Sequence, residues 1–444
     1  MDDVHQRSSE QRSVTSVDRP EFPSNPLTTP IPDSGDDATP TSLSVLYSFP
    51  HPLGDSGIGW TALQQVRALV AAGHRVTVVA ASVATPIGTV ARVATTLTIL
   101  GRRLPHRAIG RNRAIALHDW RAARILREGD YDVVHGWPWG SVRTFEEAAR
   151  LGVASVREAP NTHTAHAFQV VAEEYRRLGI TPPTKSPHTY NAHTLRLEQK
   201  EWSSATAILV PSASVERTFI EQGVAPGKLL RHRYGALIDT TTAIDPDPRD
   251  DPDHLFTAVY VGRVEPRKGL LYALQAWKGS VAKEHGGRFL IYGEFTPGYR
   301  EVLEELLDQP GVELRGFSSD VASVFASADV LVLPTIEEGS ALVTSEAQAA
   351  GCVPLVSDAS GANLEDNVHG LVHHVRDVDT LRSQLDEVST DRALLQRLRR
   401  AALAHRSELT WERAGIDLVA AYRAAMLLAA GAGHASSSND RKAP

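Results

Sequence analysis

From residue 43 onward the chain alternates short, continuous apolar runs with stretches in which apolar residues return every three or four positions. The run 43–47 is followed by a glycine-bearing loop and a helical pattern carried by Leu63, Val66, Leu69 and Val70. Ala72, Gly73 and His74 break that pattern ahead of a second run, 75–79. Strand, loop, helix, turn and strand in this order make a βαβ unit, and the unit recurs. Runs at 131–135, 153–156 and 207–210 continue the first series; a second comprises 255–261, 289–292, 312–314, 330–333 and 353–356. Strands without polar alternation belong to parallel sheets covered on both faces. The pattern predicts an α/β chain of two Rossmann-like domains facing a cleft.

Between the series lies 239–253, rich in Asp, Pro and Thr and without periodicity, the mark of a linker. Residues 1–42 hold 24 Ser, Thr, Pro or Asp against seven Val, Ile, Leu, Met or Phe. That is too little apolar surface to offset the entropy of ordering, so they read as a disordered tail. The expected organisation is a tail at 1–42, a first domain at 43–238 and a linker at 239–253. A second domain at 254–410, a last helix at 411–432 and a polar tail at 433–444 complete it.

Charge and cysteine content narrow the function. The chain carries 46 Lys+Arg against 53 Asp+Glu, a net −7, which speaks against a nucleic-acid binder. One cysteine, Cys352, excludes a disulfide framework and a multi-cysteine zinc site; its setting, Ala-Gly-Cys-Val-Pro before a strand, suits a small core residue. The start, Met-Asp-Asp, has no secretory pattern, and the longest apolar stretch, 424–432, is short for a bilayer span. A soluble, cytoplasmic protein is expected.

The strongest chemical signal is 261–269, directly after the first strand of the second series. Ligands of open α/β sheets bind beyond the carboxyl ends of strands, so Arg263 and Lys268 would present two cations to a diphosphate. The second signal is 334–347, where a strand ends, a loop carries Glu338 and Gly339, and a helix starts near Leu342. A helix start offers free N–H groups and a positive dipole end to phosphate. Glu346 lies one turn further, and carboxylates beside a phosphate site accept hydrogen bonds from sugar hydroxyls. Taken alone, the two acids fit a helix-start charge and a surface charge as well. Asp245, Asp247, Asp251 and Asp253 mimic a metal motif but sit in the linker, and His163 with His166 lacks a third ligand. No metal site is expected. Gly57-x-Gly59-x-x-Ala62 formally fits a nicotinamide fingerprint. The loop before it is too long, and no acid follows the run 75–79.

Together these residues resemble the retaining family-4 glycosyltransferases of the GT-B fold, over roughly residues 43–430. That family carries Gly-Arg…Lys-Gly after the first strand of its second domain and two glutamates at the spacing of Glu338 and Glu346. Gly293-Glu294, Arg315-Gly-Phe317, the run 328–334, Val210-Pro-Ser212 and Tyr234-Gly235 add to the match. The resemblance implies metal-independent transfer of a sugar from a nucleotide-sugar, with retention and with no cofactor. It gives Arg263 and Lys268 the donor diphosphate, Glu338 the sugar hydroxyls and Glu346 the ribose. Backbone around Phe317 would frame the base, and the amides of Leu342 and Val343 would meet ribose and phosphate. Gly57, Gly59, Gly262, Gly293, Glu294, Gly339 and Ser340 complete the donor contacts. The usual Glu-Gly-Phe-Gly reads Glu338-Gly339-Ser340-Ala341 here, and loss of the second glycine bears on how closely backbone approaches the sugar.

A His-x-His common in the family is replaced by His135-Gly136-Trp137, which leaves His163 as the candidate to touch sugar or acceptor. A loop-stabilising role fits His163 equally. The last helix, opening at Trp411-Glu412, is expected to cross back to the first domain. Arginines 102, 103, 107, 111, 113, 121, 124 and 127, against the single acid Asp119, suggest a patch for an anionic acceptor or the inner face of a membrane. A solvated face fits them too. A sugar-nucleotide epimerase and a non-catalytic nucleotide-sugar-binding subunit are the alternatives to a transferase.

Overall fold

The structure, a computed structural model, describes residues 42–99, 102–103, 110–183, 186–238, 249 and 253–439, with side chains to 431. The expected tail 1–42 lies outside the described residues except Ser42, as does most of the linker 239–253.

The first domain contains β1 (Ser44–Leu53), β2 (Arg75–Val83), β3 (Arg92–Thr95), the short pair β4 (Thr98–Ile99) and β5 (Arg102–Arg103), β6 (Val133–Gly136), β7 (Ala154–Glu158), β8 (Ala207–Val210) and β9 (Leu229–Arg231). Seven of these form one parallel sheet in the order β3-β2-β1-β6-β7-β8-β9. Side chains alternate across a strand, and both faces here are apolar. Val45, Tyr47 and Phe49 pack with Leu63, Val66 and Leu69 of the Ile58–Ala71 helix. Leu46 instead meets Ile125 and Leu126 of the Arg111–Glu128 helix and Phe145 of the Val142–Leu151 helix.

The second domain contains β10 (Thr257–Val261), β11 (Arg288–Tyr292), β12 (Val312–Gly316), β13 (Val330–Leu333), β14 (Val353–Ser357) and β15 (Leu371–His373). They form a parallel sheet ordered β12-β11-β10-β13-β14-β15 around one continuous core. Cys352 is buried in that core. The crevice where strand order reverses lies between β10 and β13, and the loops after these two strands carry the chemistry.

The last helix, Trp411–Asn439, runs past 433, where a polar tail was expected. Its segment Trp411–Gly431 is long and apolar enough for a bilayer by length and composition, more than the 424–432 stretch suggested. Here Leu418, Tyr422 and Ala425 are buried in the core of the first domain. Tyr422 hydroxyl meets Nδ1 of His135 at 2.7 Å. The chain thus returns to its first domain after completing the second.

Candidate active site

Two loops build the second-domain side of the site. Gly269 allows them to meet: its φ is +73°, and a Cβ there would lie 2.0 Å from the carbonyl oxygen of Pro334. Any side chain would push the β10 loop off the β13 loop. Their contact is electrostatic. Lys268 Nζ is ion-paired with Glu338 Oε2. Arg267 Nη1 lies 3.2 Å from the same oxygen and 3.3 Å from Glu337 Oε2, while Nη2 reaches Glu265 at 3.0 Å. Burial by itself would raise the pKa of Glu338, but the Lys268 and Arg267 charges outweigh it and hold that carboxyl at about 2. Glu338 is therefore ionised. Burial tends to lower the Arg267 pKa, and the three surrounding carboxylates more than reverse that.

Arg263 and Glu346 are placed differently. The Arg263 side chain is exposed and makes no ion pair among the described residues. Glu346 lies in the helix Leu342–Ala349; no described residue bonds its carboxylate, and burial raises its pKa. Leu342 and Val343 open that helix, and Ala341 before them supplies no side-chain cap. Ala341 itself packs in the domain core, so the methyl that replaces the second motif glycine is directed away from the cleft.

The first domain closes over this assembly. A Cβ at Gly339 would fall 1.9 Å from the Pro160 carbonyl oxygen, so only glycine lets the two backbones touch. Ser212 Oγ donates to the Gly339 carbonyl at 2.7 Å, and Thr162 Oγ1 donates to Glu337 Oε1 at 2.5 Å. A third bridge lies further out. The buried Glu174 carboxylate accepts from Tyr272 hydroxyl at 2.5 Å and from Arg376 Nη2 at 2.8 Å. A cleft of about 410 Å³ remains between the domains, within the usual range for ligand sites. It brings Gly57 together with Glu338, Ser340 and Leu342, and adds Asp55, Asn161 and Tyr234.

The remaining expected residues lie around or away from this cleft. Gly262, Gly293 and Phe317 follow β10, β11 and β12 at the carboxyl edge of the sheet, with Phe317 78% exposed. Glu294 is exposed, and its carbonyl accepts from Val264 N–H at 2.9 Å. Gly59 sits in the first turn of the Ile58–Ala71 helix, where a Cβ would lie 2.6 Å from the Pro52 carbonyl oxygen.

His163 is used by the fold. It is the N-cap of the Thr164–Arg177 helix, its Nδ1 accepting from Ala165 N–H at 3.2 Å. Trp202 and Phe219 pack on the ring, and it is not among the residues lining the cleft. Burial lowers its pKa to about 4, so it is a neutral cap. The arginine stretch is also partly neutralised: Arg124 pairs with Glu128 at 2.7 Å and Arg127 with Glu147 at 3.2 Å, both acids standing beyond the basic segment. Arg107 and the side chains of Arg102 and Arg103 lie outside the described residues. Among the described residues no group of three or more His, Cys, Asp or Glu could hold a metal ion.

Arg267 and Glu337 are site residues that sequence reasoning did not single out, and Tyr234, quoted there only as part of the family match, lines the cleft. Arg267 carried a signal, a second cation beside Lys268. Nothing in the sequence showed that Glu337 would face Thr162.

Two parallel-sheet domains enclosing a charged, glycine-lined cleft, with the last helix returning to the first, define the GT-B class. Comparison with known proteins agrees. Residues 56–230 match the family model described as Glycosyltransferase Family 4, and residues 256–391 that of Glycosyl transferases group 1. The chain belongs to these glycosyltransferases. It is 27% identical over 332 residues to D-inositol 3-phosphate glycosyltransferase of Mycobacterium marinum, covering 69% of this chain and 66% of that relative. A shorter match, 28% over 151 residues, is to the UDP-Gal:alpha-D-GlcNAc-diphosphoundecaprenol alpha-1,3-galactosyltransferase of Escherichia coli, covering 31% of this chain and 38% of that one. Among solved structures, HepE of Anabaena in complex with UDP superposes with a TM-score of 0.61 at 15% identity, over 85% of this chain and 98% of that one. Sucrose-phosphate synthase of Thermosynechococcus elongatus gives 0.60 at 18% identity, over 86% and 98%.

Proposed function

We propose that this chain transfers a sugar from a nucleotide-sugar to an acceptor, with retention and without a metal ion. The observation that carries the reading is the charge assembly at the β10–β13 crevice: Lys268 joined to Glu338, with Arg263 uncommitted beside the same strand end. Cleaving the glycosidic bond of the donor leaves negative charge on the departing diphosphate. Arg263, Lys268 and the uncapped N–H groups at Leu342 and Val343 stabilise that charge, the task a metal ion performs elsewhere. Glu338, ionised and anchored by two cations, accepts hydrogen bonds from donor-sugar hydroxyls. Glu346, with no described partner for its carboxylate, accepts from the ribose. Structural relatives that hold UDP support a uridine donor as the first to test.

The test is incubation with UDP-, GDP- and ADP-sugars and a panel of acceptors, reading free nucleoside diphosphate and the anomeric configuration of the product. A new glycoside with the donor's anomeric configuration is expected. Interconverted sugar-nucleotide without diphosphate release would make the chain an epimerase, and binding without turnover a partner subunit.

A further inference from the structure

Glu158 ends β7, and its side chain is fully buried in the first domain. Four donors from three segments converge on its carboxylate. Oε1 accepts from Nε2 of His232 at 2.9 Å and from the Tyr234 hydroxyl at 2.8 Å. Oε2 accepts from the Gln65 amide at 3.1 Å and faces Nε2 of His135 at 3.3 Å. The outer partners fix the direction of these bonds. The Gln65 carbonyl accepts from the Tyr47 hydroxyl at 2.6 Å, which turns the amide N–H groups toward Glu158. Burial lowers the His135 pKa, so that ring is neutral. A bare Nε2 would set lone pair against lone pair, so Nε2 carries the proton and Nδ1 accepts from the Tyr422 hydroxyl at 2.7 Å. Donors on every side require an ionised acceptor. Burial would raise the Glu158 pKa, but the attraction of His232 and the bonds from both histidines hold it well below the carboxylate range.

A buried charge is a costly way to fill a core, and well-packed apolar side chains often fill it as well or better. What the carboxylate adds is its choice of partners. The chain crosses between the domains twice, in the segment after β9 and again at Trp411. Tyr234 lies in the first crossing, and Tyr422 lies in the helix that opens at the second. The crossings touch each other. Ala236 N–H donates to the Leu409 carbonyl at 2.8 Å, and a Cβ on Gly235 would lie 2.4 Å from Trp411 N. Both are bonded to Glu158, one directly and one through His135. From this pivot the contacts reach the site. The Tyr234 ring lines the cleft and packs with Trp411 against Leu342, which opens the helix proposed for the diphosphate.

We propose that Glu158 is a positioning residue: by holding both crossings it sets the orientation in which the second domain, with the Leu342 helix start, meets the first. The Glu174 bridge lies away from this pivot and governs how readily the cleft closes. Glu158 governs the register in which it closes, so its loss falls on turnover more than on donor affinity. The effect on turnover rests on the transferase reading above; the effect on domain orientation does not.

The test is the distance distribution between spin labels on Glu146→Cys in the first domain and Glu301→Cys in the second, in the full chain with and without UDP. Both positions are exposed, and the native Cys352 is buried. Glu158→Gln keeps the shape and puts a donor where an acceptor stood. Tyr422→Phe keeps the ring and cuts the bond to the last helix; it serves alone if Glu158→Gln misfolds. In each variant the distribution should widen or shift against wild type. Turnover should fall about tenfold, since small misplacements of reacting groups are costly. UDP affinity, carried by second-domain residues, should stay within about twofold. Tyr422→Phe added to Glu158→Gln should cost less than about twofold more in kcat, because both act through one carboxylate. Wild-type distances in the variants would overturn the assignment, and altered distances with wild-type kcat would overturn its part in the reaction. If wild type turns over no nucleotide-sugar while the variants' distances change, the transferase reading fails and the pivot stands.

Discussion

Lys268 and Glu338, reaching from the loops after β10 and β13, form an ion pair, and Glu338 lines the interdomain cleft. The residues proposed for the two ends of the donor, diphosphate and sugar, are therefore bonded to each other. A diphosphate arriving at Lys268 competes with this carboxylate. Glu338→Gln removes the competitor, so affinity for nucleoside diphosphate should rise about fivefold, a gain of ~1 kcal/mol. Turnover should fall on the order of 10²-fold, because the anchored acceptor of sugar hydroxyls is weakened. Calorimetry and initial rates read the two effects separately; weaker nucleotide binding in the variant would contradict the competition.

Glu174 joins the domains at a distance from the chemistry, accepting from Tyr272 and Arg376 of the second domain. Replacing it with Ala strips both partners of their acceptor, a cost of about 1–3 kcal/mol. The melting temperature should drop by a few degrees, and the donor KM should rise about tenfold with kcat less affected. Small-angle scattering should show a larger radius of gyration. Unchanged KM and dimensions would mean that this contact does not hold the cleft closed.

Every run expected to be a strand is one, and the errors have a common cause. The missed sheet strands β3, β9 and β15 all lie at sheet edges. An edge strand is covered on fewer sides, so it need not be a continuous apolar run: Arg92 and Val93 of β3 are exposed, and β9 and β15 are three residues each. The site divides in the same way. Arg263, Lys268, Glu338 and Glu346 are contiguous with strand ends and could be read in one dimension. Thr162 with Glu337, Tyr272 with Glu174 and Tyr234 with Glu158 depend on how two domains or distant segments meet, and no local pattern encodes that. His163 had two readings in sequence; geometry favours the cap, because its acceptor nitrogen is committed to Ala165.

Histidines whose pKa burial lowers shape the pH response, His74 and His135 among them. Burial lowers His118 to about 3 and His163, His373 and His405 to about 4, each below the ordinary 6.5. Between these values the unfolded chain binds protons that the fold rejects, so their contribution is complete above about pH 6.5 and is lost as pH falls toward 4. Thermal melts should be level from pH 8 to about 7 and decline below about 6.5. His163→Asn keeps a capping acceptor and removes one titrating group, so it should soften the decline while keeping kcat within about twofold. A loss of kcat of about 10²-fold would return His163 to the chemistry.

Turnover should survive excess chelator, since the proposed mechanism gives the diphosphate to Arg263, Lys268 and the Leu342 helix start rather than to a metal ion. Rates with and without EDTA should agree. Complete loss, restored by magnesium or manganese, would show the cations to be insufficient.

The central claim is that the Arg263–Lys268 pair stabilises the departing diphosphate of a nucleotide-sugar. Its most direct test is kcat for transfer by Arg263→Ala and Lys268→Ala beside wild type, with donor saturating and melting temperature checked. Each variant should lose on the order of 10²-fold or more in kcat, as removal of a transition-state charge stabiliser requires, with its fold intact. Wild-type kcat in both variants would contradict the claim and leave the two cations as solvated loop charges.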